Sequence, residues 1–378
     1  MNLNERIMAV FRGETPDVIP WFADLTYWYE SLIKTGRLPE KYKGNSRFGV
    51  GVELYKELGC GAHEELYNLP AKLIFKNTKI RVNRYKDDQG NIITERKYIT
   101  PIGTISSKVK YMYTSYSSAF IKYCVNSVED LKVLKYMYEN LEVKENRKNI
   151  ELQYEWMKEW REYGVVSSIP PRTPFSRMLV EWAGVMNTLR LYWRAREELE
   201  DLLQIMAERD DMIYEIISEA PAPLVYFGEN LTSEAISPRI FRQYYEEYYN
   251  KRAREMHRHG KYIYVHIDGT LRSALPCVGK TEVDCAQALT PAPAGDIPIE
   301  RFRELAGPKI ILWGGLPGVF FSKKYPEKLL MNMLEKIFKY HLSSRKFIVG
   351  VADQVPPDGD IIRVKHISER IEKEGRYL

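Results

Sequence analysis

Apolar residues in the second half of the chain gather in four short runs: LVYFGE (224–229), YIYVHID (262–268), KIILW (309–313) and KFIVGVAD (346–353). Near-continuous apolar runs of this length predict strands covered on both faces, as in a parallel sheet. Helical periodicity fills most of the gaps between them. Ser237-Pro238 reads as an N-cap followed by proline at the first helical position, and Ile240, Phe241, Tyr244, Tyr245, Tyr248 and Tyr249 then recur at helical spacing. Pro326 opens another helix with Leu329, Leu330, Met333, Leu334, Ile337 and Phe338 on one face. A last helix begins near Gly359 and turns Val364, Ile367 and Ile371 inward. Strand, loop and helix in repetition predict an α/β fold with right-handed crossovers. An open doubly wound sheet and a closed barrel both fit that alternation.

Upstream, VIPWFAD (18–24) reads as the first strand, and VVSSI (165–169) as another, running into Pro170-Pro171. Residues 151–163 have helical spacing through Leu152, Trp156, Trp160 and Tyr163, and residues 197–217 through Leu199, Leu202, Leu203, Met206, Ile213 and Ile217. Between about residues 73 and 113 the pattern changes to a period of two. KLIFKNTKIRVNRY, DDQGN and IITERKYI predict an antiparallel hairpin turning at Asp88-Gln89-Gly90-Asn91, which ITPIGTISSKVKYM extends. This segment reads as a β-hairpin insertion over one end of the barrel, either an edge decoration or a substrate lid.

Composition narrows the function classes. The 378 residues, 44% apolar and 28% charged, suit a soluble globular protein able to bury a large core. No stretch approaches the roughly 18 apolar residues of a membrane span, and the N-terminus has no secretory run, so a cytoplasmic protein without a membrane partner is expected. The net charge of +5 is spread along the chain, whereas nucleic-acid binding calls for a larger, clustered excess. Four cysteines without a CxxC pair make a disulfide framework or zinc knuckle unexpected. The 27 tyrosines and seven tryptophans supply core packing and the walls of a flat apolar pocket.

Four segments together resemble the uroporphyrinogen decarboxylase superfamily, which also contains corrinoid-linked methyltransferases. They are NERIMAVFRGETPDVIPW (4–21), PPRTPFSRMLVEWAG (170–184), KIILWGGLPG (309–318) and GVADQVPPDGD (350–360). The resemblance implies one (β/α)8 TIM-barrel domain over residues 1–378, with its chemistry at the C-terminal ends of the strands. It does not choose the reaction. The decarboxylases of that superfamily place arginines after strand one, but here no arginine lies between Trp21 and Lys34. The segment GCGAHEELYNLP has Glu64 and Glu65 where they have an aspartate, and their tyrosine position falls at Arg177 or Met178. A polycarboxylate substrate needs several converging guanidinium donors.

The methyltransferase branch implies zinc held by a His-x-Cys pair and a later cysteine. This chain reads His266-Ile267-Asp268 and, after strand eight, Ala352-Asp353. The resemblance therefore implies an oxygen-rich zinc site built from Glu229, His266, Asp268 and Asp353, with Cys285 an outside candidate. Such a site suits O-demethylase methyltransferases, where the metal helps an ether oxygen depart. The expected function is metal-assisted transfer of a methyl group between a small methylated substrate and a corrinoid (cobalamin) protein. Glu229 and His266 would be metal ligands, and Asp268 or Asp353 the third ligand or general base. Asp24, Tyr27, Trp28 and Trp313 would be substrate walls, and Arg172 would hold an anionic part of the substrate. Each residue has a plainer reading too: a structural hydrogen bond for Glu229, a core histidine for His266, a turn cap for Asp268, a helix cap for Asp353, a buried thiol for Cys285 and a surface ion pair for Arg172. A carbon–carbon lyase of the decarboxylase type and a non-catalytic barrel binding a tetrapyrrole or cobamide are the alternatives.

Overall fold

Eight short strands form one parallel sheet in the computed structural model, which describes residues 1–113, 116–267 and 269–377. Numbered within this sheet they are β1 (Trp21–Phe22), β2 (Tyr67–Asn68), β3 (Ser167–Ser168), β4 (Leu224–Leu231), β5 (Tyr262–Ile267), β6 (Cys285–Leu289), β7 (Ile311–Pro317) and β8 (Phe347–Ala352). Their order is β1-β8-β7-β6-β5-β4-β3-β2, with every pairing parallel. Parallel neighbours need a crossover connection. Between β4 and β5 the helices Pro238–Tyr244 and Glu246–Arg258 provide it, and between β7 and β8 the helix Glu327–His341. The segment before β2 completes the curl: Gly61 bridges Phe22 of β1 and Ala62 bridges Gly164, both in parallel. A parallel sheet curled in this way is that of a TIM-like fold.

This sheet belongs to one of two compact units, made of Met1–Pro70, Arg147–Pro170 and Ile217–Leu378. Its core holds Phe22, Leu224, Tyr226, Tyr264, Cys285, Ile311, Trp313 and Ile348 from the strands, with Val165 just before β3. The helix Leu3–Phe11, closed by an Asn2–Glu5 capping box, adds Leu3, Ile7, Val10 and Phe11 to the same cluster. Alternation along each strand divides the side chains between two layers. On β4, Tyr226 joins this core while Phe227 packs on Tyr249 of the helix Glu246–Arg258.

The strands depart from the apolar pattern in informative ways. Sequence CAQAL predicts no strand, since alanine has little β-propensity and Gln287 interrupts the apolar run. It becomes β6 because β5 and β7 offer hydrogen-bonding edges on both sides. In the first expected strand, ladder pairing with β8 is confined to Trp21–Phe22, just after Pro20, whose missing N–H cannot join a ladder. Beyond KIILW, β7 continues through Gly314 and Gly315 to Pro317. The helix placed at 151–163 runs instead from Arg147 to Glu159.

The second unit comprises Ala71–Asn146 and Pro171–Ile216. It contains a four-stranded antiparallel meander of Lys79–Lys86, Ile92–Thr100, Gly103–Met112 and Ser117–Lys122. The first turn lies at 87–91, where the Asp87 carboxylate accepts hydrogen bonds from the Gln89 and Asn91 amides. A separate antiparallel pair joins Ala71–Phe75 to Leu141–Glu145. Among the helical segments are Val128–Glu139, Pro174–Arg177, a π-helical turn Met178–Trp182 and Gly184–Arg194. Among the described residues no helix is long and apolar enough to cross a membrane.

Candidate functional site

Because all eight strands run in one direction, their C-terminal ends gather at one end of the sheet, where barrel enzymes carry their chemistry. Asp24 follows β1, His63, Glu64 and Glu65 follow the Gly61–Ala62 bridge, His266 is the fifth residue of β5, and Asp353 follows β8. Beneath them lies an aromatic floor. Tyr264, two residues before His266 and on the same face of β5, stacks on Tyr226 of β4 at 4.7 Å between ring centroids. It also packs against Trp313 at 5.3 Å, and its hydroxyl meets the Ser167 hydroxyl at 3.0 Å. The His63 ring rests on Trp313 at 4.5 Å.

His266 Nδ1 lies 2.8 Å from Gln287 Oε1 on β6. An amide oxygen only accepts, so Nδ1 carries the hydrogen and Nε2 is left facing Asp353, 3.7 Å away. The Asp353 side chain is 42% exposed, in contrast to the buried carboxyls around it. Asp24 accepts from the Thr26 amide at 2.8 Å and from the Thr26 hydroxyl at 2.5 Å. Glu65 Oε1 accepts from the hydroxyls of Tyr55 and Tyr29. Three buried atoms of this cluster have no hydrogen-bond partner among the described residues: His63 Nδ1, Glu64 Oε1 and Glu65 Oε2. His63 Nδ1 and Glu64 Oε1 are 3.5 Å apart. Buried polar atoms left this way carry a desolvation cost unless something else meets them.

Burial, then mutual repulsion, sets the proton affinities. Asp24 is pushed well above the usual carboxylate range by burial, then by the charges of Glu65 and Asp353. Glu64 is raised likewise, by burial first and then by Asp24, Glu65 and Asp353. Glu65 rises to about 7 through burial, its two tyrosine donors pulling the other way. Burial, with a smaller push from His266, drops His63 to about 3. Burial and mutual repulsion thus favour the protonated form of these carboxyls, beside an imidazole of His63 kept neutral, an arrangement suited to donating protons.

Of the residues expected from the sequence, Asp24, His266 and Asp353 come together here. Trp313, 1% exposed, forms part of the floor. Tyr27 and Trp28 sit half-buried on the helix Thr26–Lys34 after Asp24. Glu229 is buried in the irregular end of β4, where the five residues from Phe227 to Leu231 span the same register as the three from Val265 to Ile267. Arg172 belongs to the second unit and pairs with Glu181 at 2.9 Å. Cys285 corrects the sequence reading. It opens β6, at the opposite end of the strand from the site, and is enclosed by the apolar core. Asp268 lies outside the described residues. Among those that are described, no three His, Cys, Asp or Glu side chains are grouped to hold a metal ion, so Glu229, His266 and Asp353 do not by themselves form the expected zinc cage. His63, Gln287, Tyr226 and Tyr264 are the site residues that the pattern missed. The two-residue strand β2 has no apolar run to mark the preceding HEE as a strand-end segment.

The family model of uroporphyrinogen decarboxylase (URO-D) matches residues 83–374. Among solved structures, a methyltransferase from Methanosarcina mazei is similar with a TM-score of 0.60 and 14% identity, covering 99% of each chain. A D-psicose 3-epimerase is similar at a TM-score of 0.34 and 9% identity over 60% of this chain and 80% of that one. A sugar phosphate isomerase/epimerase from Parabacteroides distasonis reaches 0.30 and 10%, over 92% of each. The last two are too remote to bear on the argument, and the first speaks for the fold. No curated protein matches the sequence significantly. With the match running from the antiparallel meander through the last helix, the chain belongs to the uroporphyrinogen decarboxylase family of enzymes.

Proposed function

We propose that this chain is a cytoplasmic (β/α)8-barrel methyltransferase that takes a methyl group from the oxygen of a small methylated substrate and delivers it to a corrinoid on a partner protein. The acidic cluster at the strand ends carries this reading. A porphyrinogen bearing many carboxylates would meet Asp24, Glu64, Glu65 and Asp353 there, and the leading electrostatic influences on Asp24 and Glu64 include no cation. Substrate carboxylates in a buried site need cationic partners, so a small neutral substrate fits better. The fold it shares with a methyltransferase from Methanosarcina mazei supports the same reading.

Breaking a methyl–oxygen bond leaves negative charge on the oxygen, and a proton delivered there lowers the barrier. Asp24 and Glu64, whose hold on a proton is strengthened by burial and then by neighbouring carboxylates, are suited to give it. His266, with Nδ1 held by Gln287 and Nε2 toward the exposed Asp353, is placed to pass a proton between the site and solvent. A corrinoid carried by the partner would supply the nucleophile that accepts the methyl group. The methyl–oxygen bond breaks as the methyl–acceptor bond forms, and the oxygen leaves as an alcohol after taking the proton. Of the donors that the resemblance assigns to zinc, His266 and Asp353 lie within 4 Å of each other, and a third would have to come from Asp268, outside the described residues.

The test is to mix purified protein with cob(I)alamin and a methoxyarene, following methylcobalamin by its absorbance. His266→Ala and Asp353→Asn should each slow its formation about 100-fold, the scale of a lost general acid or base, with the melting temperature unchanged. Carbon dioxide release from a porphyrinogen without methyl transfer would put the lyase reading in its place. Cobamide binding without turnover, undiminished in both variants, would favour a non-catalytic barrel.

A further inference from the structure

One face of the meander in the second unit carries a group of side chains that the strand-end chemistry does not use. Alternation puts Thr94, Arg96 and Tyr98 on one face of the strand Ile92–Thr100. The register sets Ser107 opposite Arg96, and Val109 between Thr94 and Phe120. With Glu181 and Trp182 of the π-helical turn, these side chains line a cavity of about 370 Å³, a size at which small molecules are bound.

Its walls are aromatic and already in place. The rings of Tyr98 and Trp182 are 5.5 Å apart and inclined at 58°, forming a corner. Trp182 is fixed by its indole N–H, which donates to the Tyr138 hydroxyl at 3.2 Å. Phe120, 37% exposed, stands at the cavity margin and stacks on Tyr123 at 4.5 Å. The charges along the walls are unequal. Glu181 is neutralised by Arg172. Arg96 hydrogen-bonds the Tyr98 phenol and, among the described residues, has no carboxylate partner. Beside it the Ser107 side chain is buried. A guanidinium without a counter-charge, set along flat apolar walls, selects an anion attached to a planar body.

We propose that this cavity binds a small aromatic carboxylate, its ring against Tyr98, Trp182 and Phe120 and its carboxylate on Arg96 and the Ser107 hydroxyl. Calorimetric titration of the full chain with benzoate should show one saturable site. Arg96→Gln should weaken binding at least about tenfold, the value of a charge-assisted contact. Arg96 is exposed, so the variant should keep its melting temperature. Phe120→Ala should cost about threefold, the worth of one ring contact. Cyclohexanecarboxylate, with the same charge and no π-face, should bind more weakly than benzoate. The proposal fails if benzoate shows no saturation up to about 10 mM, if it binds Arg96→Gln equally well, if cyclohexanecarboxylate binds as tightly, or if tetramethylammonium binds more tightly.

Discussion

His266 and Arg177 show how context divides residues of equal chemical interest. His266 ends a barrel strand, where Gln287 fixes its tautomer and Asp353 opens it to solvent. Arg177 sits in the segment that resembles the family, yet it is 2% exposed and spent on an ion pair with buried Asp210. Removing one partner of such a pair strands the other charge in the interior. Asp210→Ala should therefore lower stability by about 3–5 kcal/mol, read as a large fall in melting temperature, and a small shift would mean that water reaches the pair. His266 could be singled out from sequence because it ends a clear apolar run. Glu64 and Glu65 could be set at the family's aspartate position only by resemblance, since carboxylates outside any recognisable strand otherwise look like solvated loop residues. Nothing but the fold shows that they are buried.

Short parallel strands depend on one another more than long ones, because each has few hydrogen bonds of its own. The junction of β6 and β7 is an example. Gly314 has φ +142°, and a Cβ there would lie 2.6 Å from the Leu289 amide nitrogen. Neither the backbone conformation nor the neighbouring backbone can give way cheaply. Gly314→Ala should therefore cost about 2–3 kcal/mol and shift Trp313, with its contacts to His63 and Tyr264. Thermal unfolding tests the first effect and near-ultraviolet circular dichroism the second; an unperturbed variant would mean that the two strands can separate without loss. Elements with strong local signals, such as β4, β5, β8 and the helix Glu327–His341, follow the apolar pattern closely. Strands β2 and β6 do not, because neighbouring strands rather than local propensity make them strands.

Across the whole molecule, the buried acids make stability depend on pH in a particular direction. Glu65 has its proton affinity raised in the fold, from the ordinary glutamate value to about 7. The native state therefore binds more protons than the unfolded chain between about pH 4.5 and 7, and its stability falls as pH rises through that window. His63, lowered to about 3, acts oppositely and costs stability as pH falls from about 6.5 toward 3. Glu65→Gln should remove the first effect: its unfolding free energy relative to the parent should rise between pH 5 and pH 7.5, by an amount on the order of 2–3 kcal/mol. A constant difference across that range would show that Glu65 is ionised in the native protein. The sequence by itself determined the α/β class, the strongest strands and helices, and His266 and Asp353 as strand-end groups, because apolar periodicity and local turn chemistry are properties of neighbouring residues. Only the tertiary structure decided which carboxyls are buried together, that Cys285 is core, and that Arg177 is already paired. Those outcomes depend on residues far apart in the chain, whose meeting no local pattern records.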